Sequence, residues 1–198
     1  MLMQCSASRC ARGYSLIELL LAVSLLSVLA GLAVPLTTST VDELRAAGAA
    51  RHVAARVAAT RLDAVRRSST VGLRFVPVGS DYSFQGFVDG NGNGLRTAEI
   101  TSGVDRPLGR PERLAEHFAG TTFGLLPGLP DLNGGTGSTD GVRVGSAAML
   151  SVSPDGSCTS GTLYIRGRRS QFAVRILGAT GRVRLFRYDV GARRWITR

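Results

Sequence analysis

The sequence contains no lysine, so all 24 basic residues are arginine. That bias reflects coding composition as much as chemistry, and it leaves no lysine for a phosphate loop. Histidine is nearly missing too, with only His52 and His117. They show no local metal-ligand spacing, so no metal centre is expected. There is no nucleophile elbow, and nothing in the order of residues gathers Ser, His and Asp into a catalytic set. The reading is that this is not an enzyme and carries no cofactor. Cysteine occurs three times, at Cys5, Cys10 and Cys158. The first two precede the long apolar segment, which leaves Cys158 alone in the rest of the chain and excludes a disulfide framework there. Cys158 lies in the turn-like stretch Pro154–Gly161 with no histidine beside it, which marks an inert thiol. No internal repeat is visible.

What the chain does have is one long apolar run. Residues 13–35 read Gly-Tyr-Ser-Leu-Ile-Glu-Leu-Leu-Leu-Ala-Val-Ser-Leu-Leu-Ser-Val-Leu-Ala-Gly-Leu-Ala-Val-Pro, with Glu18 as the only charge. About 20 apolar residues span a bilayer, so this run is long enough. It is too long for the h-region of a secretory signal, about 7–15 residues, and no well-spaced Ala-x-Ala site ends it. A carboxylate inside such a span is costly without a partner, which gives Glu18 a functional reading. The leader before the run carries Arg9 and Arg12 and no acid.

Gly13-Tyr-Ser-Leu-Ile-Glu18 followed by an apolar helix resembles the class III signal of type IV prepilins and type II secretion pseudopilins. Gly13, Leu16, Ile17 and Glu18 are all in register, and Pro35 occupies the place of that family's proline. Tyr14 stands where phenylalanine is usual. The resemblance implies a cytoplasmic cut by prepilin peptidase between Gly13 and Tyr14, and N-methylation of the Tyr14 amine. It implies that Glu18 pairs with the N-terminal ammonium of a neighbouring pilin subunit. It also implies a bacterial inner-membrane protein with one span and a periplasmic globular domain, which becomes filament-associated after assembly. Loss of the leader lowers the net charge from +10 to +8 and leaves Cys158 as the one cysteine.

The organisation expected is a leader at 1–13, a transmembrane or filament-core helix at 14–36, its continuation at 37–67 and a β-rich domain at 68–198. Pro35 predicts a kink or break. Thr40 and Glu43 form a capping-box pattern, consistent with a restart at 41. Val53, Val57, Leu62 and Val65 have roughly helical spacing and predict one face packed on the domain. Beyond the helix the period changes to two. Strands are expected at Val71–Val76, Tyr82–Val88, Val142–Val152, Thr162–Arg166, Gln171–Leu177 and Arg182–Tyr188. Between 89 and 141 the chain reads as irregular, apart from a short helix at Pro111–Phe118, with a long surface loop at Gly124–Gly141. The fold class is α+β and pilin-like: a long N-terminal helix on a C-terminal antiparallel sheet domain.

Two further blocks narrow the resemblance. Phe87-Val-Asp-Gly-Asn-Gly-Asn-Gly94 with Arg96 and Glu99, and Ser153–Gly156 with Gly161–Ile165 and Gly181–Arg184, are similar to blocks of the GspH/FimT branch of pseudopilins and minor pilins. Asp89, Asn91 and Asn93 also match the start of a calcium loop, but position twelve is Ile100, so the favoured reading is a turn closing a hairpin. From 161 to 198 there are ten arginines and one acid, Asp189. Such an array could follow a phosphate backbone, with Tyr188 and Trp195 available for base stacking. In FimT-like minor pilins of competent bacteria a Gly-Arg-x-Arg motif is associated with DNA binding. Gly181, Arg182 and Arg184 match it, and Arg187 follows as a further candidate contact. The resulting expectation is a minor subunit of a type II secretion system or type IV pilus, acting in filament-tip assembly and protein secretion. The alternative is a DNA-binding minor pilin for DNA uptake in natural transformation.

Overall fold

The computed structural model describes residues 13–198, with the side chains of 32–37 outside the description. The leader, with Cys5 and Cys10, and the Pro35 side chain therefore lie outside the described residues. Two compact units divide at Ser39 and Thr40.

Helix α1 covers Leu16–Arg67. The break expected around Pro35, with a restart at 41, does not occur: the chain stays helical through that stretch. Glu43 consequently has no capping role. Its Oε1 instead meets Arg187 at 3.0 Å and Arg198 at 3.3 Å.

Within the second unit, the helix buries Ala46, Ala49, Ala50, Val53, Val57, Thr60 and Ala64. These recur every three or four residues, the period of one helix face. Most are alanine, which keeps the sheets close to the helix backbone. The expected face was only half right. Val53 and Val57 point inward, whereas Leu62 and Val65 are exposed, at 64% and 51%. Thr60 and Ala64 take the inward positions because a 3.6-residue repeat continued from Val53 and Val57 passes through 60 and 64, not 62 and 65.

The remaining elements are β1 (Val71–Val78), β2 (Asp81–Val88), α2 (Thr97–Ser102), β3 (Arg106–Arg113), α3 (Leu114–His117), β4 (Thr122–Phe123), β5 (Val142–Val144), β6 (Met149–Val152), β7 (Gly161–Arg166), β8 (Gln171–Leu177), β9 (Arg182–Asp189) and β10 (Arg194–Thr197). They form two antiparallel sheets. One has the order β3-β2-β1-β6. The other runs β10-β9-β8-β7-β4, with β5 also paired to β7. A single apolar cluster draws on α1, on Leu73, Phe75 and Phe84 of the first sheet, and on Leu163, Phe172 and Val174 of the second. A smaller cluster of Leu125, Tyr164 and Ala173 seats Leu129 and Leu132 from the 124–141 loop, together with Phe186 and Trp195.

Two further sequence expectations are corrected, and strand β10 forms where none was expected. Val142–Val152 is not one strand: β5 joins β7 and β6 joins β1. Gly145 at φ 54° and Ala148 at φ 48° turn the chain between the two sheets. Pro111–Phe118 is helical only at Leu114–His117. Its first residues belong to β3, an edge strand holding Pro107 and Pro111, where a missing N–H costs no ladder bond. The register of β3 slips between Phe84 and Gly86, and the Gln85 side-chain amide donates to the Gly109 carbonyl at 2.9 Å. Strand β10 had no clear alternating signal in Arg-Trp-Ile-Thr and forms by pairing with β9.

Candidate functional site

The N-terminal segment has an unusual surface. From Leu16 to Leu29 every large apolar side chain is exposed, around the whole circumference of the helix. A helix apolar on all sides needs an apolar surrounding, either lipid or other helices. Its serines fit such a place. Ser24 Oγ donates to the Leu21 carbonyl and Ser27 Oγ to the Val23 carbonyl, both at 2.8 Å, so neither hydroxyl needs water. Glu18 is the one charged side chain there, a turn from Tyr14, which is 83% exposed. Among the described residues, no helical window is long and apolar enough to cross a membrane. The described side chains of the run stop at Gly31, about 22 Å beyond Leu16 at helical rise.

The arginine-rich end is sorted by strand alternation. Val183 and Leu185 pack on the main core. Arg182 and Arg184 therefore face the other way, and both are exposed. Arg187 shares the inward parity of 183 and 185 and is held by Glu43 of α1. The motif thus divides: Arg182 and Arg184 lie on the outer face, and Arg187 ties strand to helix. Cross-strand register extends the outer face into a row, with Arg143 opposite Thr162, Thr162 opposite Arg175, and Arg175 opposite Arg184. Arg143 is anchored by Asp131 at 2.6 Å and lies 5.0 Å over the Tyr164 ring. Arg175 donates to Asn133 Oδ1 at 3.1 Å. Arg143, Thr162, Tyr164 and Arg175 line a cleft of about 500 Å³.

Gly181 has a structural reason of its own. Its φ is 61°, a region that favours glycine. A Cβ there would come within 2.7 Å of the Gly156 carbonyl oxygen and 3.0 Å of Arg61 Nε. Arg61 of α1 reaches the gap between Gly156 and Gly181, so the turn before β9 is shaped by an arginine passing beneath it. Tyr188 and Trp195 do not offer free stacking faces. Tyr188 is buried, and its ring meets Trp195 edge-on at 5.3 Å. The Trp195 indole N–H donates to the Pro130 carbonyl at 3.0 Å.

The 89–94 loop uses its oxygens internally. Asp89 Oδ1 accepts the N–H groups of Asn91 and Gly92, and Oδ2 accepts that of Gly94 at 2.6 Å. Burial alone would raise the Asp89 pKa, but these backbone amides outweigh it and hold the carboxyl below its usual range. Asn91 Oδ1 accepts from Asn93 N–H, and Asn93 donates to Glu99. Buried Asp105 accepts from Gly90 and Arg96. The side-chain oxygens at 89 and 91 are thus turned onto backbone N–H groups. The segment closes the β2–β3 hairpin as a long Asx-braced loop. Cys158 is half-buried, and burial pushes its thiol pKa up against the weaker pull of Arg61, which suits an unreactive thiol.

Residues 8–34 match the family described as the prokaryotic N-terminal methylation motif. The chain is also 43% identical over 82 residues to the pilin-like protein PilA1 of Thermus thermophilus. Both likenesses support a type IV pilin-like protein. The aligned stretch covers 41% of the chain and 51% of the relative, so the chain spans about half the length of the curated relative it matches. No solved structure matches. A long N-terminal helix followed by an antiparallel sheet domain is the pilin-like α+β arrangement. Pilin-type proteins are processed by prepilin peptidase, assemble with other pilin subunits and are generally not enzymes.

Proposed function

We propose that this pilin-like chain is a minor filament subunit of the GspH/FimT type, serving a type II secretion system or a type IV pilus. Prepilin peptidase would remove residues 1–13 at the Gly13–Tyr14 bond, and the Tyr14 amine would be methylated. Residues 14–36 would anchor the chain in the inner membrane and later pack in the filament core, with the domain on the periplasmic side. The observation that carries this reading is the apolar N-terminal helix exposed on every face. A single acid, Glu18, sits near its start. In the producing cell, the chain should co-sediment with sheared or membrane-bound filaments and depend on the peptidase for release from the leader. A processed chain that never co-sediments with filaments when the other subunits are present would contradict the reading.

A second reading, DNA capture during uptake, is favoured by the outer arginine row. Arg182 and Arg184 are exposed, and among the described residues neither enters an ion pair. With Arg175 and Arg143 they form a basic strip beside a cleft. Each phosphate neutralised by such a strip releases counterions, so affinity should fall steeply with salt. In gel-shift across a salt series, the Arg182→Ala, Arg184→Ala double variant should bind more weakly. Its log–log salt slope should be smaller by about two, one per lost phosphate contact. Unchanged affinity and slope would remove these two arginines from any DNA contact.

A further inference from the structure

We infer that His52, Glu112 and His117 form a binding site for a divalent transition-metal ion of the zinc type. The two histidines of the chain lie 65 positions apart, on α1 and α3, and the fold brings both to one carboxylate of β3. Glu112 Oε2 is 3.2 Å from His52 Nε2 and 4.0 Å from His117 Nε2. The potential ligand atoms of the three residues all lie within 4.8 Å of one another. Zinc binds imidazole nitrogen and carboxylate oxygen at about 2.0–2.2 Å, so ligand atoms around a tetrahedral ion stand about 3.3 Å apart. The His52–Glu112 pair is already at that spacing. To reach that spacing, His117 Nε2 needs to close by about 0.7 Å on Glu112 Oε2 and by up to about 1.5 Å on the His52 nitrogen, and its side chain is 51% exposed.

The surroundings of the site resemble those of a built ligand set. Arg56 Nη2 holds the other carboxylate oxygen, Oε1, at 2.8 Å, which aims Oε2 at the two imidazoles. Ligating carboxylates and imidazoles are commonly oriented by such outer partners. The His52 ring is flanked by Phe118 at 5.8 Å and Phe84 at 6.4 Å, and it lies 5.4 Å from the His117 ring. One imidazole flanked by aromatic rings, one oriented carboxylate and one solvent-exposed imidazole give an ion a route in. Two nitrogens and one oxygen leave a fourth position for water or for a donor from another molecule. Because α1, β3 and α3 each supply a ligand, the ion would fasten the helix to the edge strand that local sequence preferences support least.

The test uses the full chain in detergent, freed of metal with a chelator and then titrated with zinc chloride alone. One equivalent should bind, and the melting temperature should rise with zinc concentration, because an ion that binds only the folded state stabilises it by mass action. Cobalt(II) at the same site should give the visible absorption of a four-coordinate ion. His117→Ala removes a solvent-exposed ligand with little risk to folding. It should weaken zinc binding by about 100-fold or more, at least the loss seen when an outer partner of a ligand is removed. Glu112→Gln keeps the side-chain shape and should show the same loss. Absence of one-equivalent binding, or zinc binding and thermal shift unchanged in His117→Ala, overturns the assignment.

Discussion

Glu18→Ala leaves the chain in the membrane fraction and removes it from filaments, with incorporation falling more than about 100-fold. The size of the effect follows from where the carboxylate sits. Leu16, Ile17, Leu19, Leu20 and Leu21 surround it, all exposed and all apolar. Once this surface is covered by neighbouring helices, an ionised carboxylate has no water. Under the proposed role its partner is the N-terminal ammonium of another subunit. Breaking a buried pair by removing one partner costs about 3–5 kcal/mol, because the other charge is left uncompensated. Each 1.4 kcal/mol is about a tenfold change in an equilibrium. The proposed anchoring should survive, since alanine makes the helix more apolar. Glu18→Asp should recover part of the assembly, as a shorter carboxylate reaches the ammonium less well. Wild-type incorporation by Glu18→Ala, measured by immunoblot of sheared filaments, would mean that the acid serves no inter-subunit pair.

Asp42→Ala should lower the melting temperature by about 5–10 °C, from a loss of about 2–3 kcal/mol. Asp42 lies on α1, and its carboxylate enters the turn between β7 and β8. Oδ1 accepts the Arg168 N–H at 2.7 Å. Oδ2 accepts the N–H groups of Arg169 and Ser170 and the Ser170 hydroxyl, the last at 2.8 Å. The fit leaves no room for a side chain at Gly167, where a Cβ would stand 2.6 Å from Asp42 Oδ1. Successive N–H groups converging on one anion form a concave site for it. The estimate stays at a few kcal/mol because the turn is partly solvated and water would reach the amides of Arg168 and Arg169. Burial raises the Asp42 pKa, but the amides of Arg168 and Arg169 and the two groups of Ser170 outweigh it and hold it below its usual range. A carboxyl with a depressed folded-state pKa stabilises fully above its unfolded value, and that contribution fades as pH falls through the folded value. The difference between wild type and Asp42→Ala should therefore be full at neutral pH and close in acid. A melting difference that is constant from about pH 7 to about pH 3 would assign the effect to helix propensity, not to the carboxylate.

Much of this was legible in the sequence because local rules agreed with the tertiary structure. Strand β8 has the expected bounds, Gln171–Leu177, since Phe172, Val174 and Ile176 alternate cleanly onto the core. The apolar helix was evident from composition alone. What was not legible depended on pairing across long separations. Strand β3 carries two prolines and three arginines, with no alternation, and exists because β2 offers it an edge. The division of Val142–Val152 between two sheets needs the turn at Gly145–Ala148, and a run of apolar residues conceals that turn. Leu62 and Val65 share the type of Val53 and Val57 but not their face. On the candidate surfaces, the sequence grouped Arg182, Arg184 and Arg187 by proximity, and strand parity separates the third from the first two. Arg143 lies outside the arginine-rich end and Arg175 is not singled out within it, since only sheet register aligns them with Arg184. The approach of His52 and His117 to Glu112 has no local sequence signal.

The central claim is that this chain is a processed, pilin-type subunit, and the mass of its mature N-terminus tests that claim most directly. The chain should be expressed with its prepilin peptidase, recovered from membranes and measured intact and after proteolysis. The account predicts a polypeptide that begins at Tyr14, carries N-methylation on that residue and has lost residues 1–13. A chain that still begins at Met1 with the peptidase active, or one cut C-terminal to the apolar run, would contradict it.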